Sequence, residues 1–121
     1  MKMVLLVGLG GFLGTSARYL VYQFVQKHFT LPVFTGTLLV NIIGSLIIGI
    51  VFGLSFKSAI STETKIFLAT GFCGGFTTFS AFAFENLTLF RDGSYLLLAL
   101  YILGSLIIGV LMAYLGYWMM K

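Results

Sequence analysis

Apolar residues run through this chain in four long blocks, separated by three short polar breaks. The blocks cover about residues 3–25, 33–55, 65–90 and 94–120, and the breaks read QKHFTLP, FKSAISTET and RDG. Each block is long enough to cross a hydrocarbon core, which takes roughly 20 apolar residues in a helix. The pattern therefore predicts an all-α membrane protein of four transmembrane helices. Pro32 closes the first break, and Asp92-Gly93 marks the third as a tight turn. Breaks this short make successive helices antiparallel neighbours, which predicts one transmembrane domain over residues 1–121.

The apolar pattern is interrupted at a few places. The third block contains GFCGGFTTFSAFAFE over residues 71–85. Gly71, Gly74 and Gly75 weaken a helix there, and Thr77 and Thr78 bring hydroxyls to the same spot. A span broken at membrane depth exposes backbone groups, which is tolerated only where protein or an ion satisfies them. Freed carbonyls of this kind suit a cation such as sodium; the alternative is a glycine-rich kink that only permits close packing. Phe76, Phe79 and Phe82 recur every three residues, with Ser80 between two of them and Glu85 a turn beyond. Such a stripe commonly serves packing, yet a ring edge is electropositive and can face a small anion without trapping it. Glu85 reads as a lone acid that pairs with an arginine or caps polar groups, with no proton-relay chain around it.

Polar residues inside a span are costly in lipid and need a reason. In the second block Thr37, Asn41 and Ser45 recur every four residues, on one helical face. Asn41 suits either an interhelical hydrogen bond or a donor on a permeation path. In the fourth block Tyr101, Ser105 and Gly109 share a face in the same way. Two such stripes predict a shared polar track. Arg18, past the middle of the first block, either snorkels to the interface or sets a positive charge at a vestibule. Gly10 with Gly14, and Gly49 with Gly53, show the small-xxx-small spacing that lets helices approach closely.

Composition narrows the function. Only 8% of the 121 residues are charged, against 60% hydrophobic, so there is too little polar surface for a soluble globule. One cysteine, Cys73, one histidine, His28, and three carboxylates are too few parts for a disulfide, a hydrolytic dyad or a side-chain metal centre. No enzyme chemistry and no nucleic-acid partner is expected. Lys2 precedes the first apolar block as in a secretion leader, but Arg18 follows the small residues at Thr15–Ala17 and the apolar run resumes, so a retained helix is expected. Lys2, Lys57, Lys65 and Lys121 fall on one side of the membrane, and Arg18, Lys27 and Arg91 towards the other. That balance leaves the positive-inside rule almost silent. It fits ordinary insertion with the termini inside, and it equally fits a chain that inserts both ways round. Four packed helices enclose little water, so a conduit is expected between subunits.

GFCGGFTTFSAF over residues 71–82 resembles the signature of the Fluc (CrcB-type) fluoride channels. GGFLGTSARY (10–19) and GTLLVNIIGS (36–45) are similar to further motifs of that family, so the resemblance covers essentially the whole chain. It implies a fluoride-selective channel giving passive export of cytoplasmic fluoride, multi-pass in the plasma membrane, the inner membrane of a prokaryote. It implies an antiparallel homodimer of dual-topology subunits with two parallel pores. On that pattern Phe79 and Phe82 are the pore phenylalanines, Asn41 the pore asparagine, and Tyr101 and Ser105 a polar track. Thr78 and Ser80 match hydroxyl positions near the pore, and Arg18 an arginine at the vestibule. Gly74 and Thr77 match the break whose carbonyls, two from each subunit, hold a structural Na+ at the dyad. This chain departs from the pattern at Gly109, where the track often continues with serine, and at Phe76, often leucine or methionine. Three rivals stand beside it. A small multidrug-type exporter needs an acid in the first span, which has none. A non-conducting assembly subunit would lose no flux on changes at Phe79 and Asn41. A pair of unlike chains could replace the homodimer.

Overall fold

The computed structural model describes residues 1–121 and is helical almost throughout. Helix α1 is Lys2–His28 and α2 is Phe34–Phe56. The third span, Thr62–Arg91, is composite: α3 (Thr62–Lys65), a wider π-wound segment (Ile66–Cys73), α4 (Gly74–Phe76) and α5 (Phe79–Arg91). Helix α6, Tyr95–Met120, completes four elements long and apolar enough to span a membrane. The chain is a multi-pass membrane protein. Its burial is inverted relative to a soluble fold: only 17 of 121 residues are buried, while Leu96, Leu106, Val110 and Trp118 stand exposed along α6. In lipid that outward apolar surface is solvated rather than hidden.

With no hydrophobic drive between helices in lipid, close approach does the packing. It builds two helix pairs. In the first, α1 lies against the π-wound segment and α4. A Cβ added to Gly10 would stand 2.5 Å from the Phe67 carbonyl oxygen, and one on Gly14 would overlap the Phe72 carbonyl. In the second, α2 lies along α6, where Gly49 faces the Ala113 carbonyl and Gly53 the Met120 side chain. Both glycine pairs therefore serve as their spacing predicted. Helix α5 leans onto α6 and α2, so the break before α5 opens between the two pairs.

Two helix ends show how local chemistry sets the connectors. The Gly93 N–H donates to Phe90 and the Ser94 N–H to Leu89, closing α5 with a Schellman motif around Gly93 at φ 73°. Helix α2 ends the same way, with Ser58 donating to Ser55 and Ala59 to Leu54. Here the left-handed position is held by Ser58 at φ 55°, a conformation that costs a non-glycine residue about 1 kcal/mol. Replacing it should raise stability: Ser58→Gly is expected to stabilise the fold by roughly 0.5–1 kcal/mol in denaturant titration of the detergent-solubilised protein. An unchanged midpoint would show that the turn is not strained.

Candidate functional site

The break in the third span lies at Thr77–Thr78. Thr77 has φ −85°, ψ 159° and Thr78 φ −149°, ψ 121°, both extended. The glycines expected to break the helix do not. Gly74 is helical at φ −61°, ψ −37°, and the helix runs through Gly75 to Phe76. The helix stops where a competing partner appears. Asn41 on α2 pairs with the backbone of Thr78 through both ends of its amide. Its Nδ2 donates to the Thr78 carbonyl at 3.1 Å, and its Oδ1 accepts the Thr78 N–H at 2.9 Å. Thr78 then caps the next helix, its Oγ1 accepting the Ala81 N–H at 3.2 Å. Thr77 donates its hydroxyl back to the Cys73 carbonyl at 2.8 Å, while its methyl group sits over Gly44 of α2.

These bonds withdraw donors from two carbonyls. In a continued helix the Thr78 N–H would donate to Gly74 and the Ala81 N–H to Thr77. Both now go elsewhere. Oxygen donors of this kind suit a hard cation such as sodium. Gly74 is exposed, and a Cβ there would meet nothing within 4 Å, so its surroundings within one chain are open. No cluster of His, Cys, Asp or Glu competes as a metal site.

Beside the break lies a partly open cavity of about 530 Å³. Asn41, Thr77, Thr78, Phe79, Phe82 and Ser105 all line it, together with Gly74, Ser45 and Gly109. Of the two polar stripes, Asn41 and Ser45 from the second span and Ser105 and Gly109 from the fourth line the cavity, while Thr37 and Tyr101 do not. The Ser105 hydroxyl is buried and has no hydrogen-bond partner within the chain. Ser45 donates to the Asn41 carbonyl at 2.7 Å, and its Oγ lies 3.6 Å from the position of a Cβ on Gly109. The hydroxyl missing at Gly109 is replaced at that level by one from α2. Phe79 and Phe82 stand 5.8 Å apart between ring centres, and Phe79 is 79% exposed. Ser80 is exposed nearby, its Oγ 3.3 Å from that of Thr78.

Two further candidate residues lie outside the cavity lining. Arg18 is half-buried on α1 and is not among the cavity-lining residues. Tyr101 lies just outside the cavity, its ring edge-on to Phe82 at 5.0 Å and 80°. Its hydroxyl donates to Glu85 at 2.6 Å, and Thr37 donates to the other oxygen of Glu85 at 2.6 Å. Glu85 is therefore not an arginine partner; of its two expected roles it takes the other, capping polar groups, here two hydroxyls from neighbouring helices. It joins α2, α5 and α6 behind the cavity. The available sequence signal was its cost: a carboxylate within an apolar span needs partners, and each polar stripe begins with a hydroxyl.

Comparison with known proteins matches residues 5–117 to the family described as CrcB-like protein, Camphor Resistance (CrcB). The chain is 52% identical over 114 residues to a Fluoride-specific ion channel FluC from Chlorobium chlorochromatii, covering 93% of this chain and 88% of that one. It is 47% identical over 118 residues to the FluC of Gloeothece citriformis, with 98% and 96% covered. The FluC of Methanococcus maripaludis is 45% identical over 116 residues, with 96% and 93% covered.

Proposed function

Because the chain belongs to the CrcB-like family, we propose that it is a fluoride-selective ion channel giving passive export of cytoplasmic fluoride. It is a channel and not an enzyme. The observation that carries the reading is the convergence of Asn41, Thr78, Ser105, Phe79 and Phe82 on one cavity beside an interrupted membrane helix. Fluoride is small and tightly hydrated, so it enters a narrow path only where donors replace its water. The Ser105 hydroxyl, the Asn41 amide and the hydroxyls of Thr78 and Ser80 supply donors. The electropositive ring edges of Phe79 and Phe82 supply a weak attraction that lets the ion leave again.

The exposed Phe79 and the partly open cavity support a second copy as the missing wall. The near-even Lys and Arg balance supports an antiparallel homodimer of dual topology, with one such passage on each side of the dyad. The two donor-deprived carbonyls, Gly74 and Thr77, would hold a structural Na+ together with the same pair from the partner. That ion would brace the breaks and add a positive field. Arg18, half-buried on α1, would draw anions at the vestibule. In a prokaryotic plasma membrane, fluoride that entered as neutral hydrogen fluoride is trapped on dissociation. The inside-negative potential, about 2.3 kcal/mol per charge per 100 mV, then expels it through the channel.

The test is ion efflux from liposomes holding the purified protein. Fluoride efflux with negligible chloride efflux is expected, and equal rates would end the selectivity reading. Phe79→Ala should cut fluoride efflux by about tenfold or more, since it removes one ring of the pair. Undiminished efflux would rule the rings out of the path.

A further inference from the structure

Glu85 is an acid without a counter-ion. The chain's single ion pair joins Lys2 to Glu63, and Glu85 takes no part in it. Its charge is held by hydroxyls alone. Tyr101 from α6 and Thr37 from α2 each donate to one carboxylate oxygen at 2.6 Å. Thr37 has one proton and gives it to Glu85, so the 2.9 Å contact between Tyr22 and Thr37 has Tyr22 as donor. The whole string is thus polarised towards Glu85: Tyr22 to Thr37 to Glu85, and Tyr101 to Glu85. Tyr101 and Thr37 are both almost fully buried, at 5% and 1% exposure, so bulk water does not compete for these protons while the carboxylate holds them, and an incoming ion reaches them only as Glu85 moves aside.

This is an anion site made of neutral hydroxyl donors, and the protein's own anion already fills it. A phenol or alcohol has one proton to give. While Tyr101 donates to Glu85 it cannot donate to a passing ion, although its ring packs edge-on against Phe82 of the cavity wall. We propose that Glu85 is a tethered competitor for fluoride: its carboxylate occupies the Tyr101 and Thr37 hydroxyls when no ion is present, and yields them as fluoride arrives. Tyr22 is a positioning residue that orients the Thr37 hydroxyl. The proposal rests on the fluoride-channel reading. It adds that occupancy of the Tyr101 level is set by exchange between two anions, one mobile and one bound to α5. Repulsion between carboxylate and fluoride favours the exchange over joint occupancy.

The chain's few acids make the exchange visible. In an E63Q/D92N background, Glu85 is the only carboxylate left besides the C-terminus. Infrared difference spectra of that protein, titrated with fluoride, should show the carboxylate and phenol bands of Glu85 and Tyr101 shifting together. Chloride should leave them unmoved. In liposomes, Glu85→Gln should lower the fluoride concentration for half-maximal flux by about tenfold, because an amide competes less well for the hydroxyls than a charged acceptor. Tyr22→Phe should lower it by a smaller factor, through the loosened Thr37 hydroxyl. Bands that stay still across the range in which the unmodified protein conducts fluoride would overturn the proposal while leaving the channel reading intact. An unmodified protein that carries no fluoride would overturn both. The spectra need no change at Glu85, so a Glu85→Gln protein that fails to fold does not block the test.

Discussion

Asn41→Ala should destabilise the protein by roughly 2–6 kcal/mol and cut fluoride efflux to about a tenth or less. The size follows from what the amide does. It holds the Thr78 N–H and C=O together, and both groups lie in a buried part of the span, Thr78 being 7% exposed. Alanine leaves the two unpaired where water is scarce, at about 1–3 kcal/mol each. One escape is open to the chain: the third span can re-form helix through Thr77 and Thr78, returning the Thr78 N–H to the Gly74 carbonyl. That would remove the very interruption the passage is built on. Asn41→Asp separates the two effects. A carboxylate still accepts the Thr78 N–H but cannot donate to the Thr78 carbonyl, and it sets a negative charge on the cavity wall. It should fold better than Asn41→Ala and conduct no better. Thermal unfolding in detergent, paired with liposome efflux, reads both quantities. If Asn41→Ala unfolds at the temperature of the unmodified protein and conducts fully, the amide neither holds the break nor serves the ion.

Asn41 also shows which parts of the protein its sequence made legible. The four spans could be read because lipid demands long apolar runs, a demand written locally. The largest difference at an end without a break is in α1, which continues to His28, beyond the apolar block, where Lys27 and His28 suit the carbonyl-bearing end of a helix. The glycine spacings were equally local, and Gly10, Gly14, Gly49 and Gly53 do meet backbone or side-chain atoms across helix pairs. The position of the break was not local. Glycine is the poorest helix former short of proline, so the sequence pointed to Gly74 and Gly75. In the fold both residues stay helical, Gly75 packed closely against Gly11 of α1 and Gly74 with open space around it. The helix yields at Thr78 because an amide 37 residues away offers its backbone a better partner. No periodicity within the third span encodes that. The Glu85 linkage was hidden for the same reason, its donors lying 48 and 16 residues distant on other helices. The stripes put Asn41, Ser45, Ser105 and Gly109 on facing helices that line one cavity, but gave no sign of which atoms bond across it.

Two neighbouring glycines should answer opposite questions. Gly75→Ala is expected to cost about 3 kcal/mol or more and to depress folded yield sharply. Its new methyl would overlap the Gly11 carbonyl and come within 3.0 Å of both the Gly11 Cα and the Thr15 Oγ1. The obstacle is backbone, so α1 itself must move away from the third span. Gly74→Ala faces no such obstacle, since nothing of its own chain lies within 4 Å. Within one subunit it should be neutral or stabilising by about 0.5–1 kcal/mol, as alanine favours helix over glycine. Yet Gly74 is exposed and lines the cavity, and its carbonyl is one of those proposed to hold a shared cation. If a second copy seats there, the added methyl stands between the two breaks. Gly74→Ala should then keep its unfolding temperature as a monomer in detergent while losing dimerisation, by cross-linking, and fluoride efflux. Should the alanine protein dimerise and conduct unchanged, the partner does not meet this face and the carbonyl pair does not share an ion. A loss of monomer stability would instead mean that Gly74 is needed within its own chain, contrary to the space around it.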